Sequence, residues 1–597
     1  MSTQLNNQII SAYQQGNYAQ VMQWFGNYSS IKQCDPNVGI CFANSQRHTG
    51  DVKSAKRTFE VLLKRFPQVP AIFNSYANLC IAQGHYAEAS RLLKSSIRLD
   101  ANYFDAYVNL GRLQNLQENF AHAEASYNNA LKLQPQNLNA KLGLAAALHK
   151  QSKYQSAESI YQMLLSMPHG TDVKVLINYA SLLRDMQRYQ DAVNILQHAI
   201  QALPDNAMVH AMLAANYALQ QRMDDAYRHY QQAITIEPTN TTYQIEFAHF
   251  RWSQGSEAPF EPLLAVIFSG RYTYELVISA LDLLTNAEQF TLVKKVLEAC
   301  AKEYANDPTV LMFAARYERM VGDLTEAEAL CQQAIKNSSK PIPVSIENEM
   351  GYIALAQQNA KDALKVYRNL QRREPENQGW WTLYSTALKL TQSNSDEYAR
   401  LCDYSLLHSA SVVADKGQDY LRQLTAKLEA VHANTRHPIG QSLRNGTQTY
   451  EDIFDDTDDV IQTLKTWIHE QAERHTKALK RNHKHPFLRR VGADLDFTGS
   501  WSVCLKTGGY HTSHFHPQGW LSGVFYVDVP EDVDSQGQGW LQFGVPEISQ
   551  LALAADYAIK PESGRLMLFP SFMWHGTRPF NSGNRRMTIA FDMVPKR

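Results

Sequence analysis

The feature that most constrains this chain is a spacing. Ala55, Ala89, Ala123 and Ala157 recur at intervals of 34 residues, and Ala192 and Ala226 follow at intervals of 35 and 34. Their settings are alike: GDVKSAKRTFE, GHYAEASRLLK, ENFAHAEASYNNAL, SKYQSAESIYQML, QRYQDAVNIL and RMDDAYRHYQQAI. A second apolar pattern of helical period lies upstream of each alanine, as in YVNLGRLQNL and NYASLLRDM, so each unit predicts two helices joined by a turn. Pro135, Pro204 and Pro238 close units where a helix must stop. The small alanine lets the two helices approach closely, and the larger apolar positions fill the groove between successive pairs. No single pair buries its apolar face alone, so the units must stack.

A unit carrying Tyr107, Leu110, Gly111, Ala123, Tyr127, Ala130 and Pro135 resembles the tetratricopeptide repeat. The resemblance implies an α-solenoid whose concave surface suits an extended peptide. From Ala226 to Ala327 is 101 residues, so two degenerate repeats are expected in the gap, with cores near PFEPLLAVIF and FTLVKKVLEAC. Clear units return at GDLTEAEALCQQAI and NAKDALKVYRNLQRREP, and GWWTLYSTALKL with DEYARLCDYSLL is expected to cap the array. The repeat solenoid is therefore expected over residues 1–410. The alanine and aromatic stripes are core, not ligand contacts.

A formal net charge of −1 gives no basis for binding nucleic acid or an anionic membrane through bulk charge. No apolar run approaches the roughly 20 residues needed to span a bilayer, and the N-terminal stretch lacks the pattern of a secretory leader. The 7 cysteines are scattered, with no CxxC pair, which fits a reducing compartment without a disulfide framework. A cytoplasmic location is expected.

Past about residue 410 the period stops. The chain gives way at Asn434 to TRHPIGQSLRNGTQTYEDIF, rich in turn-formers. A helix is expected from Asp458 to Lys480, acidic at its start and basic at its end, as its dipole favours. Short alternating runs then take over: SWSVCLK, GWLSGVFYVDV, GWLQFGV, GRLMLFP and RMTIAFDMV. Punctuated by Gly and Pro, they predict a β-sandwich or barrel over residues 411–597. Ahead of one of them lies HTSHFHPQGW, in which His514 and His516 are two apart and share a face of an extended strand. His575 follows in FPSFMWHGTRPF, and Arg586 opens the last run. Two histidines from one strand, a distant third and a strand-borne arginine suit an iron site with an anionic cosubstrate.

TRHPIGQSLRNGTQT, GSWSVCLKTGGYHTSHFHPQGWLSGVFYV, GWLQFG and GRLMLFPSFMWHGTRPF with RRMTIAFD, in that order, resemble the 2-oxoglutarate–Fe(II) oxygenases, among them relatives with tetratricopeptide repeats ahead of the oxygenase domain. The resemblance covers roughly residues 430–597. It implies a double-stranded β-helix (jelly-roll) with Fe(II) held by His514 and His575. His516 falls where the wider superfamily usually places Asp, a departure that leaves a three-histidine site one charge more positive. His511, three residues before His514, would face the other side of the strand, behind the ligands or in solvent. Arg586 is the implied partner of the distal carboxylate of 2-oxoglutarate, with Thr588 on the same strand face. Arg585 would point away. Tyr526 is either a hydroxyl on the same carboxylate or an ordinary core aromatic. Trp520, Trp540 and Trp574 read as packing residues, and no role follows for Arg444.

The resemblance implies a dioxygenase that consumes 2-oxoglutarate and O2, with hydroxylation as the default outcome and a protein or peptide substrate delivered by the repeats. Two other readings stay open: a small-molecule oxygenase whose repeats serve assembly, and a non-catalytic metal-binding jelly-roll on a repeat adaptor. The cosubstrate clamp at Arg586 and Thr588 speaks against the last.

Overall fold

Each recurring alanine sits fully buried in the second helix of a pair. The computed structural model describes residues 2–26, 34–167, 172–391, 395–432, 437–531 and 537–596. The expected break at Asn434 lies outside these. Among the described residues the helix pairs are joined by a turn whose last residue is left-handed, at Gly50, Gly84, Glu118, Ser152, Gln187 and Gln221. Glycine adopts this conformation freely, and the other four positions accept its cost to keep the turn tight. Left-handed residues recur at Glu288, Gly322 and Gln358, and at Gly255 ahead of a longer link, so the two degenerate units, with Gly255 and Glu288, keep a left-handed turn after losing the alanine. Their helices are Thr241–Ser253 with Glu261–Phe268, and Tyr274–Asn286 with Phe290–Tyr304.

Where a proline ends one unit, an asparagine two residues on starts the next. Asn137, Asn206 and Asn240 accept from the backbone N–H of Ala140, Val209 and Tyr243 at 3.1, 3.1 and 3.3 Å, which satisfies an N–H that the first helical turn leaves unpaired. Between units, the Tyr127 ring fills a gap that only glycine leaves open, since a Cβ on Gly143 would lie 2.3 Å from it.

The chain forms two compact units, Met1–Ile236 and Glu237–Arg597. The first is helical repeats alone. In the second, the repeats run on to helix Gln378–Lys389 and a β-rich region follows. Its strands are β1 (His408–Ser411), β2 (Leu443–Gln448), β3 (Leu495–His511), β4 (Leu521–Asp528), β5 (Leu541–Phe543), β6 (Tyr557–Ile559), β7 (Arg565–Pro570), β8 (His575–Thr577) and β9 (Arg586–Pro595). All pairings are antiparallel, in one sheet of order β1-β7-β4-β9-β3-β2 and another of order β6-β5-β8. Helix Asp459–Ala478 is capped by Asp458 and packs Trp467 edge-on to Phe525 of β4 at 6.2 Å. No described helix is long and apolar enough to cross a membrane.

The last repeat helix and the sheets share one core, in which Leu383, Leu388, Trp520, Phe525 and Phe572 are at most 1% exposed. Polar groups pin the two together: Thr382 Oγ1 donates to the Phe572 carbonyl at 2.6 Å, and Trp574 Nε1 donates to Thr386 Oγ1 at 2.8 Å. Residues 410 and 411, on either side of the expected division, both lie in β1, which pairs with β7.

Candidate metal centre

β3 ends at His511, so the histidine segment is not one continuous strand. His514 instead pairs directly with His575, the first residue of β8: each backbone N–H donates to the other's carbonyl, at 2.8 and 2.9 Å. The His516 N–H donates to the Ser571 carbonyl at 3.1 Å. Main-chain bonds thus bring together histidines about 60 residues apart in sequence. The ring centroids of His514 and His575 are 4.2 Å apart, and His516 lies 5.2 and 5.1 Å from them. Candidate ligand atoms of these three residues all lie within 4.8 Å of one another.

The Nδ1 atom of every ring in this group has a partner. His514 Nδ1 lies 2.9 Å from the Thr512 carbonyl, His575 Nδ1 2.9 Å from the Met573 carbonyl, and His516 Nδ1 2.6 Å from Asp592 Oδ2. A carbonyl only accepts, so Nδ1 carries the proton in the first two rings and Nε2 keeps its lone pair. Burial, then the neighbouring His516, pushes His514 down to about 3, and burial, then His514, holds His575 well below its ordinary value. Three converging imidazoles, with unprotonated Nε2 on His514 and His575 and Ser442 Oγ 3.4 Å from the first of these, fit a divalent transition metal.

Along β9 every second residue from Arg586 lines the same cavity, of about 420 Å³: Arg586, Thr588, Ala590 and Asp592. The alternate residues Met587, Ile589, Phe591 and Met593 are 0% exposed in the core. Arg586 is 2% exposed, and burial lowers its pKa. Its Nη1 donates to the Gly539 carbonyl at 2.5 Å, and its guanidinium carbon lies 5.1 Å from the centre of the Tyr526 ring. Among the described residues Arg586 Nε and the Tyr526 hydroxyl make no well-aligned hydrogen bond, though the two groups interact with each other, and no carboxylate pairs with Arg586. A buried cation so placed calls for an anion, and a dicarboxylate fits. Thr588 is directly opposite Tyr526 in the β4–β9 register.

Arg585 faces away and reaches Glu429 at the surface. His511 does not face away: it lines the cavity, with Nδ1 2.9 Å from Ser442 Oγ and its ring 5.9 Å from His514. Having left strand geometry after His511, the chain no longer alternates faces. Trp520 stacks on Phe487 at 4.4 Å and is fully buried.

Three cavity residues were not anticipated. Asp592 is bonded to His516, Ser442 lies between His511 and His514, and Trp501 stacks on the His516 ring at 5.7 Å and 10°. The parity of Asp592 with Arg586 on one strand was the available signal; Ser442 and Trp501 carried none. Arg444 donates to the carbonyls of Gln441 and Leu443 and pairs with Glu288, the left-handed residue of a repeat turn.

Residues 499–592 match the family described as "Putative 2OG-Fe(II) oxygenase", and residues 42–68, 109–168 and 183–245 match tetratricopeptide repeat families. No curated protein matches the chain. Among solved structures, YrrB, a TPR protein with an unusual peptide-binding site, is 17% identical over 31% of this chain and 95% of its own, at a TM-score of 0.26. A MamA fragment from Desulfovibrio magneticus is 18% identical over 29% of this chain and 96% of its own, at 0.27. A tetratricopeptide repeat protein from Parabacteroides merdae is 13% identical over 47% of this chain and 97% of its own, at 0.28. Tetratricopeptide repeats thus precede a C-terminal region that matches a 2-oxoglutarate–Fe(II) oxygenase family over residues 499–592.

Proposed function

We propose that this protein is an Fe(II)- and 2-oxoglutarate-dependent dioxygenase that hydroxylates a protein or peptide recruited by its repeats. The observation that carries the reading is a single cavity with two needs of opposite sign. Converging imidazole nitrogens suit a divalent cation, and a buried guanidinium with no carboxylate beside it among the described residues suits an anion. His514, His516 and His575 would hold Fe(II). Arg586, with Thr588 and the Tyr526 hydroxyl, would hold the distal carboxylate of 2-oxoglutarate. In this reading the two sheets are the halves of a double-stranded β-helix, and the oxygenase function belongs to residues 411–597.

When bound, Fe(II) and 2-oxoglutarate supply the oxidising chemistry: one O2 is consumed, succinate and CO2 are released, and a substrate C–H becomes C–OH. The chain's own contribution is placement. The mutual backbone bridge of His514 and His575 fixes two imidazoles before any ligand binds, and the buried arginine orients the cosubstrate along β9. The desolvated wall formed by Tyr526, Leu541 and Phe569 keeps water from the reacting centre.

The repeats of the second unit support a macromolecular substrate because they touch the cavity rim. Trp252 Nε1 donates to the His437 carbonyl at 2.7 Å, Asn286 approaches Gly440, and Glu288 pairs with Arg444. Between these contacts Gly440, Gln441 and Ser442 line the cavity, so a peptide lying on those helices would reach its mouth. All seven cysteines are free thiols, six of them buried, which supports a reducing, cytoplasmic setting.

The test is anaerobic reconstitution with Fe(II) followed by titration with 2-oxoglutarate. A charge-transfer absorption band that saturates at one equivalent is expected; Fe(II) binding without such a band contradicts the cosubstrate assignment.

A further inference from the structure

The three histidines are not held alike. The Nδ1 atoms of His514 and His575 bond to backbone carbonyls, which orient a ring but bring no charge. Among the described residues only His516 of the three is bonded to a carboxylate, with Nδ1 at 2.6 Å from Asp592 Oδ2. The other oxygen, Oδ1, accepts from Ser522 Oγ at 2.5 Å, and Ser522 Oγ is 2.8 Å from Ser571 Oγ. Ser571 in turn accepts the His516 backbone N–H through its carbonyl. The Trp501 ring, nearly parallel to that of His516, covers one face of the imidazole. Both the plane and the tilt of this one ring are therefore set.

Asp592 is itself short of a cation. Its side chain is 14% exposed, and among the described residues its only salt-bridge partner is His516. A desolvated carboxylate needs a positive charge nearby. The bond from His516 directs that need through the imidazole to Nε2, where the three rings converge. A carboxylate in this position raises the basicity of the ligand nitrogen and fixes its tautomer.

On the reading of the site proposed above, we infer that Asp592 is a positioning residue that supplies, through His516, the negative charge that a His-X-His ligand set lacks beside the usual two-histidine, one-carboxylate set. The carboxylate is displaced by one residue layer rather than lost. It arrives from β9, the strand that also carries Arg586, so one strand serves the metal at one end and the cosubstrate at the other.

The test is a four-protein cycle on the full chain: wild type, Asp592→Asn, His516→Asp, and both together, with Fe(II) alone titrated anaerobically against a competing chelator. Asparagine keeps the site hydrogen-bonded, because Ser522 can exchange donor and acceptor roles, and removes only the charge. Asp592→Asn is expected to weaken Fe(II) binding by about 10- to 100-fold. In the His516→Asp background, where the carboxylate is a direct ligand, the same change is expected to cost less than about threefold. Near-ultraviolet circular dichroism checks folding, and Asp592→Ser is the second neutral variant should asparagine not be tolerated. An equal loss in both backgrounds would mean that Asp592 serves packing alone, and no loss in either would remove it from the site; each outcome overturns the inference while leaving the oxygenase reading in place. Failure of the wild type to bind Fe(II) would overturn both.

Discussion

Arg585 and Arg586 are neighbours in sequence and serve opposite surroundings. Arg586 is 2% exposed in the cavity wall beside Tyr526, whereas the Arg585 side chain is 42% exposed and pairs with Glu429. The difference decides which of them can meet an anion inside the cavity.

Arg586→Met is expected to leave Fe(II) content near normal and to weaken 2-oxoglutarate binding. Removing one partner of a desolvated, hydrogen-bonded charge pair costs about 2–5 kcal/mol, or roughly 30- to several-thousand-fold in affinity. Arg585→Met should change it by less than about threefold, because an exposed ion pair contributes little. Paired anaerobic titrations with 2-oxoglutarate measure both, and a defect confined to Arg585→Met would reverse the assignment.

At the metal, His514→Ala and His575→Ala should each abolish stoichiometric Fe(II) binding. His511→Ala should retain it, since His511 bonds to Ser442 and lies outside the converging group. Equilibrium dialysis with metal analysis distinguishes them, and equal loss in all three would mean that the ligand set is misassigned.

The repeats of the second unit carry a buried charge cluster that makes their stability depend on acid. Glu349 is 0% exposed and accepts from Arg319 Nε at 2.6 Å and Arg316 Nε at 2.9 Å. Burial pushes its carboxyl up, but the two guanidiniums together outweigh that and hold it below its ordinary value. A depressed carboxylate contributes stability that is present above the unfolded-state pKa, about 4.3, and is lost as pH falls through the folded-state value. Glu349→Gln should cost about 3–5 kcal/mol at neutral pH by leaving Arg319 buried and unpaired, and should flatten the acid dependence. Hydrogen exchange of helices Pro308–Val321 and Val344–Ala356 reads this out; unchanged protection in the variant would refute it.

Because Glu237–Arg597 is a compact unit by itself, a chain beginning at residue 237 should keep Fe(II) and 2-oxoglutarate binding. If the first unit helps to recruit a protein substrate, kcat/KM for that substrate should fall while substrate-independent decay of 2-oxoglutarate persists. Undiminished turnover would favour a small-molecule substrate. A chain beginning at residue 411, by contrast, should fail to fold, for it lacks most of β1 and the Thr382 and Thr386 anchors.

The repeats were legible because a buried alanine leaves a periodic mark on sequence. The left-handed turns were not, since Glu118, Ser152, Gln187 and Gln221 adopt a conformation that their residue types do not advertise. β1 escaped notice because HSAS has no apolar alternation; it exists through main-chain pairing to β7, and its pattern of exposure is half-buried against exposed. β2 was hidden among turn-formers in LRNGTQ, where the register shifts between Arg444 and Gly446. His514, His516, His575 and Arg586 stood out by residue type and by order along the chain. Asp592 shared only the strand parity of Arg586; its 2.6 Å bond to a residue 76 positions away has no local signature.

The most direct measurement of the central claim is the stoichiometry of O2-dependent conversion of 2-oxoglutarate to succinate by the Fe(II)-loaded protein. We predict one succinate and one CO2 per O2 consumed, abolished in His575→Ala and restored in Arg586→Met only at far higher 2-oxoglutarate. A wild-type protein that binds Fe(II) and 2-oxoglutarate but forms no succinate, in the presence of its bound substrate or without it, would contradict the claim.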